Sequence, residues 1–133
     1  MKRILVAFDG DEPAHRALER GAALAQAFEA ELGIVNVTPW RRGRYAIDLW
    51  GDAEVPPAAL QSAGEWLTQR GLAATLLSPV GDPGRTIEMV ADAGGFDTIV
   101  VGARKPGLVS RFLLRSVSGH VATKSKATVV VAR

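Results

Sequence analysis

Glycine, hydroxyl and basic residues are spaced along residues 101–121 in a way that suits binding of an anionic group. Gly102 directly follows the mostly apolar run 97–101, and Ser116 lies towards the far end of the stretch. A glycine after a buried strand lets backbone N–H groups approach phosphate oxygens closely. Three positions where such an approach would favour glycine hold larger residues, namely Lys105, Pro106 and Arg115. The stretch therefore resembles a nucleotide-binding loop that lacks part of its glycine content.

Asp9 is the second candidate residue, because it follows the continuous apolar run 4–8, a pattern typical of a strand covered on both faces. Ligands of open α/β sheets bind at the carboxyl ends of the strands, where the strand order reverses. If the order reverses between these two strands, Asp9 and Gly102 flank one crevice. Asp9 is equally suited to bind backbone N–H groups in a turn, and Gly10 and Gly102 to serve as turn glycines. The sequence leaves both roles open.

The elements that must position these residues alternate between apolar runs and helix-like segments. The predicted strands are residues 4–8, 31–37, 72–79, 96–102 and 128–132. Four helices are predicted. The first is capped by Asp11 and has apolar positions from Ala14 to Phe28, the second is 57–69, the third begins at Pro83 and is stopped by Gly94 and Gly95, and the fourth is 110–125. Residues 38–57 show little periodicity and are predicted to form a long loop. This pattern predicts an α/β fold, a single doubly wound, five-stranded parallel sheet with helices on both faces.

Composition restricts the class of protein. A chain of 133 residues predicts one domain, spanning residues 1–133. The absence of cysteine excludes disulfides and thiolate zinc sites and favours a cytoplasmic location. The same location is favoured because the sequence shows neither a signal sequence nor an apolar run long enough for a membrane span. A net charge of +2 does not indicate a nucleic-acid-binding protein.

The last predicted strand, Thr128–Ala132, is apolar and falls at the end of the chain. A strand of this kind at a sheet edge can pair with another copy of itself. We therefore expect a homodimer that covers this edge.

Blocks along the whole chain resemble the universal stress proteins, namely FDG after the first strand, IVNVTP in the second, VGDPGRTI before the third helix, TIVVGARKPGLVSRFLLRSVSGHV, and a closing VVVAR. The resemblance implies a small α/β domain of a cytoplasmic stress-response protein, usually dimeric through its last strand. One branch of that family binds ATP.

In that branch the nucleotide motif is glycine, two residues, glycine, nine residues, glycine, then serine or threonine. The positions that the resemblance assigns to this motif are Gly102, Lys105, Arg115, Ser116 and the following Val117. It further implies that Asp9 meets the ribose or the adenine, and that Ala7 and the backbone of Val37 lie near the base.

The departures from the motif predict altered binding. A side chain at a position that needs a left-handed backbone costs about 1–2 kcal/mol. Pro106 also restricts Lys105 and removes an N–H group. Arg104, Lys105 and Arg115 add positive charge, but exposed charge pairs contribute only about 0–1 kcal/mol, whereas aimed backbone donors define the site. We expect weak binding of ATP or AMP, with a mononucleotide or another small anion preferred.

Other arrangements are less well supported. His15 and His120 lack the spacing of metal ligands, so no metal site is predicted. The sequence support for a catalytic triad of Ser116, His120 and Asp9 is weak, so no catalytic residue is predicted. Basic and aromatic residues alternate over residues 40–50, which we interpret as a loop that packs locally or on a dimer mate rather than as a nucleic-acid site. The sequence thus predicts a stress-response protein that binds and signals, and the alternative is an ATP-binding member with slow nucleotide hydrolysis.

Overall fold

A computed structural model describes residues 1–38, 57–103 and 127–133. Within these ranges, five parallel strands form one sheet in the order β3-β2-β1-β4-β5. The strands are β1 (Arg3–Ala7), β2 (Glu31–Val35), β3 (Thr75–Leu77), β4 (Thr98–Gly102) and β5 (Thr128–Ala132), and the helices are α1 (Glu12–Phe28), α2 (Ala58–Thr68) and α3 (Pro83–Gly94). The predicted α/β fold is confirmed. The predicted helix 110–125 and nearly all of the predicted loop 38–57 lie outside the described residues.

Helices cover both faces of the sheet, so side chains of the central strand alternate between two apolar clusters. Ile4 and Val6 of β1 pack in a cluster with the apolar sides of α1 and α2. Leu5, between them, packs in a second cluster with the apolar side of α3. All three side chains are fully buried, which explains why this run is continuously apolar rather than alternating.

Two helices begin at the residues that the sequence predicts. An oxygen of the Asp11 side chain accepts a hydrogen bond from the Ala14 N–H at 2.9 Å, and Asp82 accepts one from the Arg85 N–H at 3.1 Å. Each cap satisfies an N–H group that has no partner within its helix, and a proline follows in the first turn of both helices. These local signals determine where the chain turns back from the carboxyl edge of the sheet.

Some element boundaries differ from the predictions. β2 ends at Val35 and β3 spans only Thr75–Leu77. Beyond them the two segments are joined by a hydrogen bond from the Asn36 N–H to the Leu77 carbonyl and by an isolated bridge between Thr38 and Val80, rather than by a continuous ladder. Phe28 keeps the helical spacing of α1 but is 54% exposed, because it is the last residue of the helix and lies beyond the buried positions of its apolar side. No described helix combines the length and apolar content needed to cross a membrane.

Candidate functional site

The strand order reverses at β1, which has β2 on one side and β4 on the other. The connection from β1 to β2 runs through α1 on one face, and the connection from β3 to β4 runs through α3 on the other. In open α/β sheets, connections that depart in opposite directions form a crevice at this point, outside the carboxyl ends of the two strands, here β1 and β4. Ala7 ends β1 and Gly102 ends β4, so the structure brings these two predicted residues to the same edge.

Asp9 lies two residues beyond β1 and is exposed. One of its carboxylate oxygens accepts a hydrogen bond from the Asp11 N–H at 3.2 Å, and Gly10 between them has a φ of 94°, in the left-handed region. Asp9 therefore makes the turn contact expected of such a residue, while Asp11 caps α1. Asp9 keeps an exposed side chain at the mouth of the crevice while it makes this contact. Its role toward a ligand stays a prediction.

Gly102 is the last residue of β4 and pairs with Ala132 of β5, so it is not a turn glycine. A Cβ at this position would lie 2.5 Å from the carbonyl oxygen of Pro13 and 2.7 Å from the Pro13 Cβ. Glycine is needed here because the first turn of α1 lies directly against the end of β4. The residue that opens the predicted phosphate loop thus has a packing function at the same edge.

Asn36, which is not among the predicted site residues, joins the ends of β1 and β2. The Phe8 N–H donates to the Val35 carbonyl at 2.9 Å, and the Asn36 side-chain amide donates to the Phe8 carbonyl at 3.0 Å. Val37, next along the chain, is half-buried, and among the described residues its N–H has no acceptor. The signal for Asn36 was the single amide side chain within the apolar block IVNV.

The remaining predicted site residues, Arg104, Lys105, Arg115, Ser116 and Val117, lie outside the described residues, as does His120. His15 is exposed in the first turns of α1, with its ring edge-on to Phe8 at 5.0 Å between centroids. Within the described ranges, no group of three or more His, Asp or Glu side chains is arranged to hold a metal ion.

Two other features lie away from the crevice. A groove of about 820 Å³ runs between α2 and β3 and includes Gly64, Leu72 and Leu76 in its lining. At the amino ends of β1 and β4, the Asp97 carboxylate accepts hydrogen bonds from the backbone N–H groups of Lys2 and Arg3. Asp97 therefore joins the two strands at the edge opposite Asp9.

A doubly wound parallel sheet with a crevice where its order reverses defines the class of open α/β domains that bind ligands at this edge. Over residues 1–133 the chain matches the family model described as the universal stress protein family. The protein belongs to that family.

Individual relatives agree with this assignment. The chain is 29% identical to the universal stress protein YxiE of Bacillus subtilis (strain 168) over 150 residues, covering 98% of each sequence. It resembles a universal stress protein in complex with cAMP (TM-score 0.70, 24% identity, 99% of this chain and 97% of that chain). It also resembles the universal stress protein from Archaeoglobus fulgidus in complex with dAMP (TM-score 0.68, 23% identity, covering 100% of this chain and 98% of that chain). At these identities the two solved structures show a shared fold.

Proposed function

We propose that the protein is a cytoplasmic stress-response protein that acts as a homodimer and weakly binds an adenine mononucleotide in the crevice between β1 and β4. The whole chain, residues 1–133, would form one domain. The proposed site consists of Ala7, Asp9, Val37 and Gly102, with Arg104, Lys105, Arg115, Ser116 and Val117 assigned from the sequence.

The observation that carries this proposal is the reversal of strand order between β1 and β4, with Asp9 and Gly102 at the adjoining strand ends. The described residues fit a nucleoside. The exposed Asp9 carboxylate can accept hydrogen bonds from ribose hydroxyls, and the Val37 N–H can donate to a ring nitrogen of a base. The complexes of two similar structures with cAMP and dAMP support a mononucleotide as the ligand class.

The loop sequence supports weak rather than tight binding of a polyphosphate. Lys105 and Arg115 occupy the positions of two motif glycines, and Pro106 has no N–H to donate. Loss of backbone donors removes the interactions that orient phosphate oxygens, and the added basic side chains replace them only partly.

Calorimetric titration tests the ligand and the site together. We expect AMP to bind no more weakly than ATP with Mg²⁺, and Asp9→Asn to weaken AMP binding about tenfold, or about 1.4 kcal/mol, because a charged acceptor for the ribose is lost. Asp92→Asn, which makes the same change at an exposed position of α3, should leave the affinity unchanged.

Tight ATP binding that requires Mg²⁺ would contradict the expected preference, and an unchanged affinity in Asp9→Asn would remove Asp9 from the site. Phosphate release from ATP above background, abolished by Asp9→Asn, would instead establish the alternative of slow hydrolysis. Each outcome is distinguishable because binding and phosphate release are measured separately.

The proposed dimer rests on the edge strand β5. Among the described residues β5 pairs only with β4, and its Val131 side chain is 37% exposed. Light scattering at tens of micromolar protein should give the mass of two chains, and Val131→Lys should shift the mass to one chain, because a charge on the edge opposes strand pairing. Thr75→Lys, on the opposite edge strand β3, is the matched control and should remain dimeric. A wild-type mass of one chain would contradict the dimer.

A further inference from the structure

The parallel ladder between β1 and β2 ends in an unusual way at Phe8. In a parallel pair, the N–H of a residue donates to a carbonyl of the neighbouring strand. The carbonyl of that residue accepts from the N–H two residues further along the neighbouring strand. Phe8 donates to the Val35 carbonyl, so its own carbonyl would next accept from the Val37 N–H. Instead the Asn36 side-chain amide donates to the Phe8 carbonyl at 3.0 Å. A side chain thus takes the place of the last backbone hydrogen bond.

This substitution determines where the Val37 N–H can donate. The N–H groups of Asn36 and Thr38 donate to the Leu77 and Pro79 carbonyls on the β3 side. Along an extended chain alternate N–H groups face opposite sides, so the Val37 N–H faces β1. At this level β1 has ended and the chain is turning through Asp9 into α1. With the Phe8 carbonyl satisfied by Asn36, the Val37 N–H lacks an acceptor within the described part of the chain.

We propose that Asn36 is a positioning residue of the crevice, which keeps the Val37 N–H available to an acceptor atom of a bound ligand. The inference rests on the proposed function for the identity of the ligand, but its geometric part concerns the free protein alone. Asn36 acts by satisfying the Phe8 carbonyl, and without it the Val37 N–H is the donor that a continued parallel ladder would pair with this carbonyl. The ladder would then extend by one bond and remove a donor from the crevice.

Amide hydrogen exchange followed by NMR tests the geometric part without any ligand. In the wild-type protein the Val37 amide should exchange rapidly compared with amides in β2. In Asn36→Ala we expect its exchange to slow at least tenfold, because the amide becomes hydrogen-bonded to the Phe8 carbonyl. Asn36→Leu is a second variant of similar volume, should Asn36→Ala not fold. Thr68→Ala is the control, since it also removes a side-chain hydrogen bond to a backbone carbonyl, that of Gly64, but far from the crevice.

AMP titration of the same proteins tests the consequence for binding. We expect Asn36→Ala and Asn36→Leu to weaken AMP binding about tenfold while Thr68→Ala binds as the wild type does. A wild-type Val37 amide that exchanges slowly, or one whose exchange is unchanged by both Asn36 substitutions, would overturn the inference. So would unchanged AMP affinity in both variants. Failure of the wild-type protein to bind AMP, with the exchange shift observed, would overturn the proposed ligand and leave the role of Asn36 supported.

Discussion

Replacing Gly102 by alanine is expected to lower the free energy of unfolding by about 3 kcal/mol, within the range for overpacked buried positions. The added Cβ would lie 2.5 Å from the Pro13 carbonyl oxygen and 2.6 Å from its carbonyl carbon. These are backbone atoms in the first turn of α1, so no side-chain rotation relieves the contact. Either α1 or the end of β4 must move. Urea denaturation monitored by circular dichroism measures the change.

Gly64→Ala is the matched control for this substitution. Gly64 lies inside α2, and a Cβ there would meet a terminal methyl group of Leu76 at 3.3 Å. That methyl group belongs to a flexible side chain, and alanine favours a helix over glycine by about 1 kcal/mol. We expect Gly64→Ala to be neutral or stabilising. Equal free energies of unfolding for the wild type and Gly102→Ala would contradict the close contact between the first turn of α1 and the end of β4.

Replacing Asp97 by alanine is expected to lower the free energy of unfolding at pH 7 by about 2 kcal/mol. Its carboxylate accepts hydrogen bonds from the N–H groups of Lys2, at 2.7 Å, and Arg3, at 3.3 Å, and from the Thr98 hydroxyl at 2.8 Å. The N–H groups at the start of β1 would lose their acceptor, and β1 is the central strand of the described sheet. Chemical denaturation provides the measurement, and a loss below about 0.5 kcal/mol would contradict a role for Asp97 in joining β1 to β4.

The contribution of Asp97 should also depend on pH. Partial burial favours a raised pKa for this carboxyl, but hydrogen bonds from Lys2, Thr98 and Arg3, with the charge of the N-terminus, hold its pKa below the ordinary value. A lowered pKa in the folded state means that the stabilisation is complete above the unfolded-state pKa of about 4 and is lost as the pH falls through the folded-state value. The stability difference between wild type and Asp97→Asn should therefore be constant near neutral pH and narrow below about pH 4. A difference at pH 3 equal to that at pH 7 would contradict this account.

The helix starts could be predicted from the sequence because their causes are local. Asp11 and Asp82 cap the amides three residues ahead of them, and prolines follow in the first turns. The buried positions of α1 follow the helical period for the same reason, since each depends on neighbours within one or two turns. Phe28 shows the limit of this reasoning, because periodicity does not indicate where the covering sheet ends.

The candidate site could be predicted only in part. The apolar runs identified Asp9 and Gly102 as residues at strand ends, but their placement at adjoining strand ends depends on β4 lying beside β1. The packing role of Gly102 depends on Pro13, which is remote in sequence. Asn36 was overlooked because its role depends on the Phe8 carbonyl of the neighbouring strand.

The amino-acid sequence alone therefore determined the order of the described strands and helices, the side-chain caps of α1 and α3 and the family of the protein, because periodicity, capping and motif spacing are properties of residues close in sequence. Tertiary structure decided which strand ends adjoin, why Gly102 must lack a side chain, and which side chain donates to the Phe8 carbonyl. These features arise from contacts between layers and between neighbouring strands, whose distances are established only when the helices pack on the sheet.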